Sequence, residues 1–118
     1  MTPFETLREL VVEINRRLAS PPTTFVTGRM FRKTSPTMKC VDGFEVSIQA
    51  SSAHYCQPRS DVGPWHMVEL GFPSEPMPQL AEWIEGEDPN ATQTVWACVP
   101  LVEVAKVLAM HGGLEITP

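Results

Sequence analysis

Between Phe44 and Ala50 the chain alternates strictly: Phe44, Val46, Ile48 and Ala50 are apolar, while Glu45, Ser47 and Gln49 between them are polar. Successive side chains of a strand point to opposite faces, so this period of two specifies a half-buried β-strand. Asp42-Gly43 in front of it is a turn signal. A second strand is expected from Trp65 to Phe72, centred on Met67-Val68-Glu69-Leu70, after the turn Val62-Gly63-Pro64. The two strands are expected to pair as an antiparallel hairpin with a long connection. A third strand is read at Thr94 to Val99, and a weak one around Phe25-Val26 with a bend at Gly28.

Helical segments supply the cover for such a sheet. Phe4, Leu7, Leu10, Val11, Ile14 and Leu18 fall at helical spacing, and Ser20-Pro21-Pro22 ends the run near Ala19. Thr2, Pro3 and Glu5 are read as cap, first helical position and capping-box partner. A short helix from about Met77 to Ile84 would bury Leu80, Trp83 and Ile84. A last helix opens at Pro100, carries Leu101, Val104, Ala105, Leu108 and Met110, and stops at Gly112 or Gly113. The expected fold class is α+β: a small antiparallel sheet with N-terminal, central and C-terminal helices packed on it, forming one domain over residues 1–118. The stripe on the helix in residues 1–19 is long enough to make subunit contacts as well as core.

Charge narrows the function classes. The net charge is −5. Residues 1–59 hold eight of the nine Lys and Arg, and residues 60–118 hold nine of the fourteen acids. A general nucleic-acid binder needs a broad basic face, which this balance argues against. A compact anion needs only two or three placed arginines. The three cysteines, Cys40, Cys56 and Cys98, are an odd number and are read as free thiols in a reducing cytosol. No apolar run approaches a membrane span, and Glu5, Glu9 and Glu13 argue against a secretion signal.

The connection between the first two strands, SSAHYCQPRSD over residues 51–61, holds most of the chemistry. His54 and Cys56, with Cys40 nearby in space, are weighed as a metal site, but the spacing is too tight for the usual paired ligands. Cys56 with His54 or His66 is weighed as a thiol–imidazole catalytic pair, and no family signature accompanies it. Glycine-rich phosphate loops are absent. Arg59, in a segment stiffened by Pro58 and beside Tyr55 and His54, can fork to a phosphate while an aromatic face meets a base. Arg29 and Arg32 would add charge. The plain alternative makes Arg59 an exposed loop residue paired with Asp61. Trp65, Trp83 and Trp96 are read as core by default, with Trp83 the one most suited to stack on a ligand.

The runs MKCVDGFEVSIQASSAHYCQPR, VELGFPSEP and TVWACVPLVEVAKVLAMHGGL resemble the Thoeris anti-defence protein 1 family over residues 38–113. The resemblance implies a phage protein acting in the cytoplasm of an infected bacterial host. Such a protein sequesters, without cleaving it, a cyclic ADP-ribose isomer made by a TIR-domain protein, and some members hold cyclic oligonucleotides at a second site. It implies a homo-oligomer, dimers building a hexamer, with ligand at a subunit interface. No cofactor, metal, DNA or membrane partner is expected. Carried to this chain, the ligand-binding residues are Arg59 and Arg29 on phosphates, Trp83 stacking and Asn90 as a polar contact, with Tyr55 and His54 beside Arg59. Arg16 and Arg17 are assigned to the second site. A basic residue expected near the C-terminus is replaced here by Met110-His111. A protein–protein inhibitor of a defence enzyme and a small Cys/His hydrolase of the signal remain the alternatives.

Overall fold

The computed structural model describes residues 4–19, 23–26, 29–32 and 37–116. The elements run α1 (Leu7–Ala19), β1 (Thr23–Val26), β2 (Arg29–Arg32), β3 (Met38–Lys39), β4 (Glu45–Gln49), β5 (Met67–Gly71), a short 3₁₀ helix (Pro78–Trp83), β6 (Val95–Pro100) and α2 (Leu101–Met110). β1 and β2 pair as a separate two-stranded antiparallel hairpin, and β3-β4-β5-β6 form a four-stranded antiparallel sheet in chain order. The fold is α+β, with helices at both ends of the chain. No helix among the described residues is long and apolar enough to cross a membrane.

The alternation is realised as expected. Val46 and Ile48 of β4 and Val68 and Leu70 of β5 are buried, with Trp96 and Val99 of β6 beside them. Leu10, Ile14 and Leu18 of α1 and Leu101, Val104, Ala105 and Leu108 of α2 complete one core. Each Val, Leu or Ile among them contributes about 1.5–3 kcal/mol when fully buried.

Four local readings need correction. α1 begins at Leu7, because the main chain of Phe4 is committed elsewhere: it exchanges hydrogen bonds with Leu114, 3.2 and 2.9 Å. The capping box is Thr6 with Glu9: the Glu9 amide donates to Thr6 Oγ1 at 3.1 Å, and the Thr6 amide donates to Glu9 Oε1 at 3.2 Å. Thr2 and Pro3 lie outside the described residues, as does Gly28. The central helix is a 3₁₀ segment that kinks at Leu80, and only Leu80 within it is buried; Trp83 and Ile84 are half-buried at the core's margin. Pro100 is the last residue of β6 and caps α2 in an extended conformation, φ −57° and ψ 134°.

β3 and the C-terminal tail carry little apolar periodicity and are defined by partners distant in sequence. β3 pairs Met38 with Val46. The tail then lies beside it: Val41 N–H bonds Gly113 O at 3.0 Å, and Glu115 N–H bonds Lys39 O at 2.9 Å. Gly113 has φ +85°, and a Cβ there would stand 2.0 Å from Phe4 O. Only glycine fits this crossing of the two ends of the chain.

Candidate functional site: the loop between β4 and β5

Residues 50–66 are pinned at several points. Gln57 N–H donates to Met67 O at 3.0 Å and its carbonyl accepts from His66 N–H at 2.9 Å, so the middle of the loop lies against the start of β5. Asp61 Oδ1 accepts from the amide of Ser52, 2.9 Å, and from its hydroxyl, 3.1 Å. Asn15 of α1 clamps the far end: its Oδ1 accepts from Trp65 N–H at 2.7 Å, and its amide donates to Trp65 O at 2.9 Å. The Trp65 indole donates to Ser60 O at 3.0 Å.

Tyr55 sits on an irregularity in the sheet. Val68 pairs with Val99 and Leu70 with Trp96, so Ala97 and Cys98 together face Glu69. Cys98 has φ +50° there, and its N–H donates to Tyr55 O at 3.0 Å. The Tyr55 amide donates to Glu69 Oε1 at 3.3 Å. An extra residue that bends a strand and re-aims its neighbours is what a β-bulge provides.

Above this anchor Arg59 places its guanidinium carbon 5.3 Å from the centre of the Tyr55 ring. Tyr55 is 53% exposed, and Arg59 is exposed. Among the described residues Arg59 makes no hydrogen bond or ion pair, and Asp61 is not its partner. A guanidinium held over a ring keeps its N–H donors in its own plane, available to a forked oxyanion. His54 is half-buried, with Nδ1 2.6 Å from the Oγ of buried Ser51.

The cysteine alternatives find no hydrogen-bonded thiol–imidazole pair among the described residues. Cys56 is buried, and its thiol lies 3.2 Å from Ser51 O and 3.3 Å from Pro58 O; no hydrogen bond joins it to His54 or His66 among the described residues. Cys40 is buried elsewhere, against Leu108 O at 3.9 Å. Burial, helped by the charge of Asp42, pushes its thiol up to about 12. His54, Cys56 and Cys40 do not gather as metal ligands among the described residues.

The other expected contacts are dispersed. Asn90 is exposed in the turn before β6, its amide donating to Asp88 Oδ1 at 2.9 Å. Trp83 precedes Ile84, which bridges Trp96. No hydrogen bond, ion pair or ring contact joins Trp83 or Asn90 to the Tyr55–Arg59 pair within the described residues. Arg29 begins β2, and its side chain lies outside the described residues, as does that of Arg32.

Arg16 and Arg17 are engaged by buried Glu13. Arg16 donates to both carboxylate oxygens, 2.8 and 2.6 Å, and Arg17 Nε to one of them, 2.7 Å. Arg17 also donates to Glu115 O at 2.8 Å and lies 6.0 Å over the Phe4 ring. These bonds, those from Arg16 foremost, hold the Glu13 carboxyl below its ordinary range despite burial. Arg16 borders a cavity of about 470 Å³ that is also lined by Val12, Asn15, Asp61, Val62 and Gly63. An anion there would compete with Glu13 and face Asp61.

The sequence pattern does not mark Asn15 or Glu69 as functional. Asn15 is a polar residue one step from the apolar stripe of α1. Glu69 is an ordinary outward position of a strand and carries no such signal. Comparison of the chain with protein-family models, with curated proteins and with solved structures returned no match.

Proposed function

We propose that the chain is a viral anti-defence protein that binds and sequesters a cyclic nucleotide immune signal, a cyclic ADP-ribose isomer made by a TIR-domain protein, and does not cleave it. The observation that carries this reading is the Arg59–Tyr55 pair: an exposed guanidinium without a carboxylate partner among the described residues, held over an exposed ring on a loop tied to β5, β6 and α1. Arg59 takes a phosphate, and the neighbouring aromatic surface supplies area for the base. A rigid cyclic pyrophosphate loses little entropy on binding to a pinned loop. The lack of a hydrogen bond between Cys56 and either imidazole among the described residues favours retention of the ligand over a thiol-based hydrolysis.

Trp83 and Asn90 then reach the ligand from a neighbouring subunit, with Arg29 as a further phosphate contact. This requires a homo-oligomer of dimers, up to a hexamer, in the cytoplasm of the infected host. Leu7 and Val12, 39% and 63% exposed on α1, are apolar surface suited to such contacts. A cyclic oligonucleotide at Arg16 and Arg17 would share their guanidinium donors with Glu13. The test is to incubate the protein with the cyclic ADP-ribose isomer, remove free ligand, and heat-denature the complex. Release of intact ligand is the expected result. Released cleavage products would identify a hydrolase, and no retained ligand would favour a protein–protein inhibitor.

A further inference from the structure

At the opposite end of β4 from the loop, three elements bring one donor each to a common point. Asp42 comes from the turn between β3 and β4, Glu75 from the segment after β5, and His111 from the C-cap of α2. His111 Nδ1 lies 2.7 Å from Asp42 Oδ2 and 3.9 Å from Glu75 Oε2, and the three donor atoms all lie within 4.8 Å of one another. We propose that Asp42, Glu75 and His111 form a binding site for a divalent transition-metal ion of the zinc or cobalt type, independent of the nucleotide reading.

The donors are held in place by contacts that do not use their facing atoms. The His111 ring stacks on buried Phe44 with centroids 4.1 Å apart and planes 5° from parallel. Asp42 Oδ1 accepts from Phe44 N–H at 2.9 Å, which turns Oδ2 toward the imidazole. The Asp42 amide donates to His111 O at 3.3 Å. Next to Glu75, Ser74 is tied to β4 twice: its amide donates to Glu45 O at 2.8 Å and its Oγ accepts from Glu45 N–H at 2.9 Å. Glu75 itself meets no donor among the described residues closer than His111. Two carboxylates therefore share one imidazole, an excess of negative charge that a dication would balance.

The geometry is close to what such an ion needs. Ligand bonds of 2.0–2.2 Å place neighbouring donors roughly 2.9–3.4 Å apart in octahedral or tetrahedral coordination. The 2.7 Å pair would open slightly, the 3.9 Å pair would close by about 1 Å or less, and the Asp42–Glu75 pair, which lies within 4.8 Å, would close by up to about 2 Å. Glu75, 59% exposed at its side chain, has the freedom to make that movement. One imidazole with two carboxylates suits a borderline ion better than calcium, which takes oxygen donors, or copper(I), which prefers sulfur. Three protein ligands leave at least one position for water, so the ion would be open to an outside ligand.

The experiment titrates the metal-stripped full chain with Co²⁺ and Zn²⁺ by calorimetry and records the absorption of the Co²⁺ form. Expected are one ion per chain, a Co²⁺ spectrum without a thiolate charge-transfer band, and at least tenfold weaker binding for both Glu75→Gln and Asp42→Asn. Both substitutions are isosteric and leave the Phe44–His111 stack intact, and melting of the metal-free variants checks that they are folded. Absence of saturable binding, a thiolate band pointing to Cys98, or unchanged affinity in either folded variant would overturn the assignment.

Discussion

Replacing Glu13 with Gln separates two views of the arginines on α1: an ion cluster belonging to the fold, or cations waiting for an anion. Glu13 is 5% exposed and accepts three short hydrogen bonds, from 2.6 to 2.8 Å. Gln keeps the volume and one acceptor but loses the charge. The side chain of Arg16 is 63% exposed, so its share is largely screened by solvent. That of Arg17 is 16% exposed, and weakening its bond to Glu13 costs about 1–2 kcal/mol. For a chain of this size the melting temperature should fall by roughly 4–10 °C at pH 7. The pH dependence is the sharper test. Because folding lowers the Glu13 pKa from its ordinary value of 4.5, the stabilisation is complete above that value and is lost as pH falls through the folded value. Calorimetric melting of both proteins from pH 7 into acid should therefore show their curves converging. A difference at pH 7 of less than about 1 °C, or a gap that persists undiminished in acid, would refute the cluster.

Three further outcomes follow from the packing. Asn15→Ala removes both hydrogen bonds to the Trp65 backbone and should lower stability by about 1–3 kcal/mol, read by chemical denaturation. Gly113→Ala combines a positive φ with a Cβ placed 2.0 Å from Phe4 O and should cost on the order of 3 kcal/mol or more by the same measurement. Cys40, buried with its thiol pushed up to about 12, should resist alkylation of the native protein at pH 8 and react once the chain is unfolded, as peptide mass mapping would show.

What could be read in advance followed the strength of the periodic signal. The alternation of β4, the strand at β5 and the stripe of α2 mark their elements because each repeats an apolar residue on one face. β3 spans two residues, Met38–Lys39, and is defined by its register against Val46 and Glu45, which no local pattern encodes. The start of α1 was displaced by a contact 110 positions away in the chain, between Phe4 and Leu114. The loop was legible as a concentration of chemistry, and Arg59 beside Tyr55 was legible as a pair. Their support was not: the bulge at Ala97-Cys98, Glu69 beneath Tyr55 and the Asn15 clamp are tertiary relations. The Asp42–Glu75–His111 cluster escaped for the same reason, since its members are scattered from a turn to a helix end.

The most direct measurement of the central claim is calorimetric titration of the cyclic ADP-ribose isomer into the wild-type protein and into Arg59→Ala, alongside thermal melting of both. Arg59 is exposed and, among the described residues, makes no hydrogen bond or ion pair beyond its ring contact with Tyr55, so the substitution should leave the melting temperature nearly unchanged. Loss of a charge-assisted contact to phosphate should weaken binding by about tenfold or more. Equal affinity in the two folded proteins, or no binding by the wild type, would contradict the account.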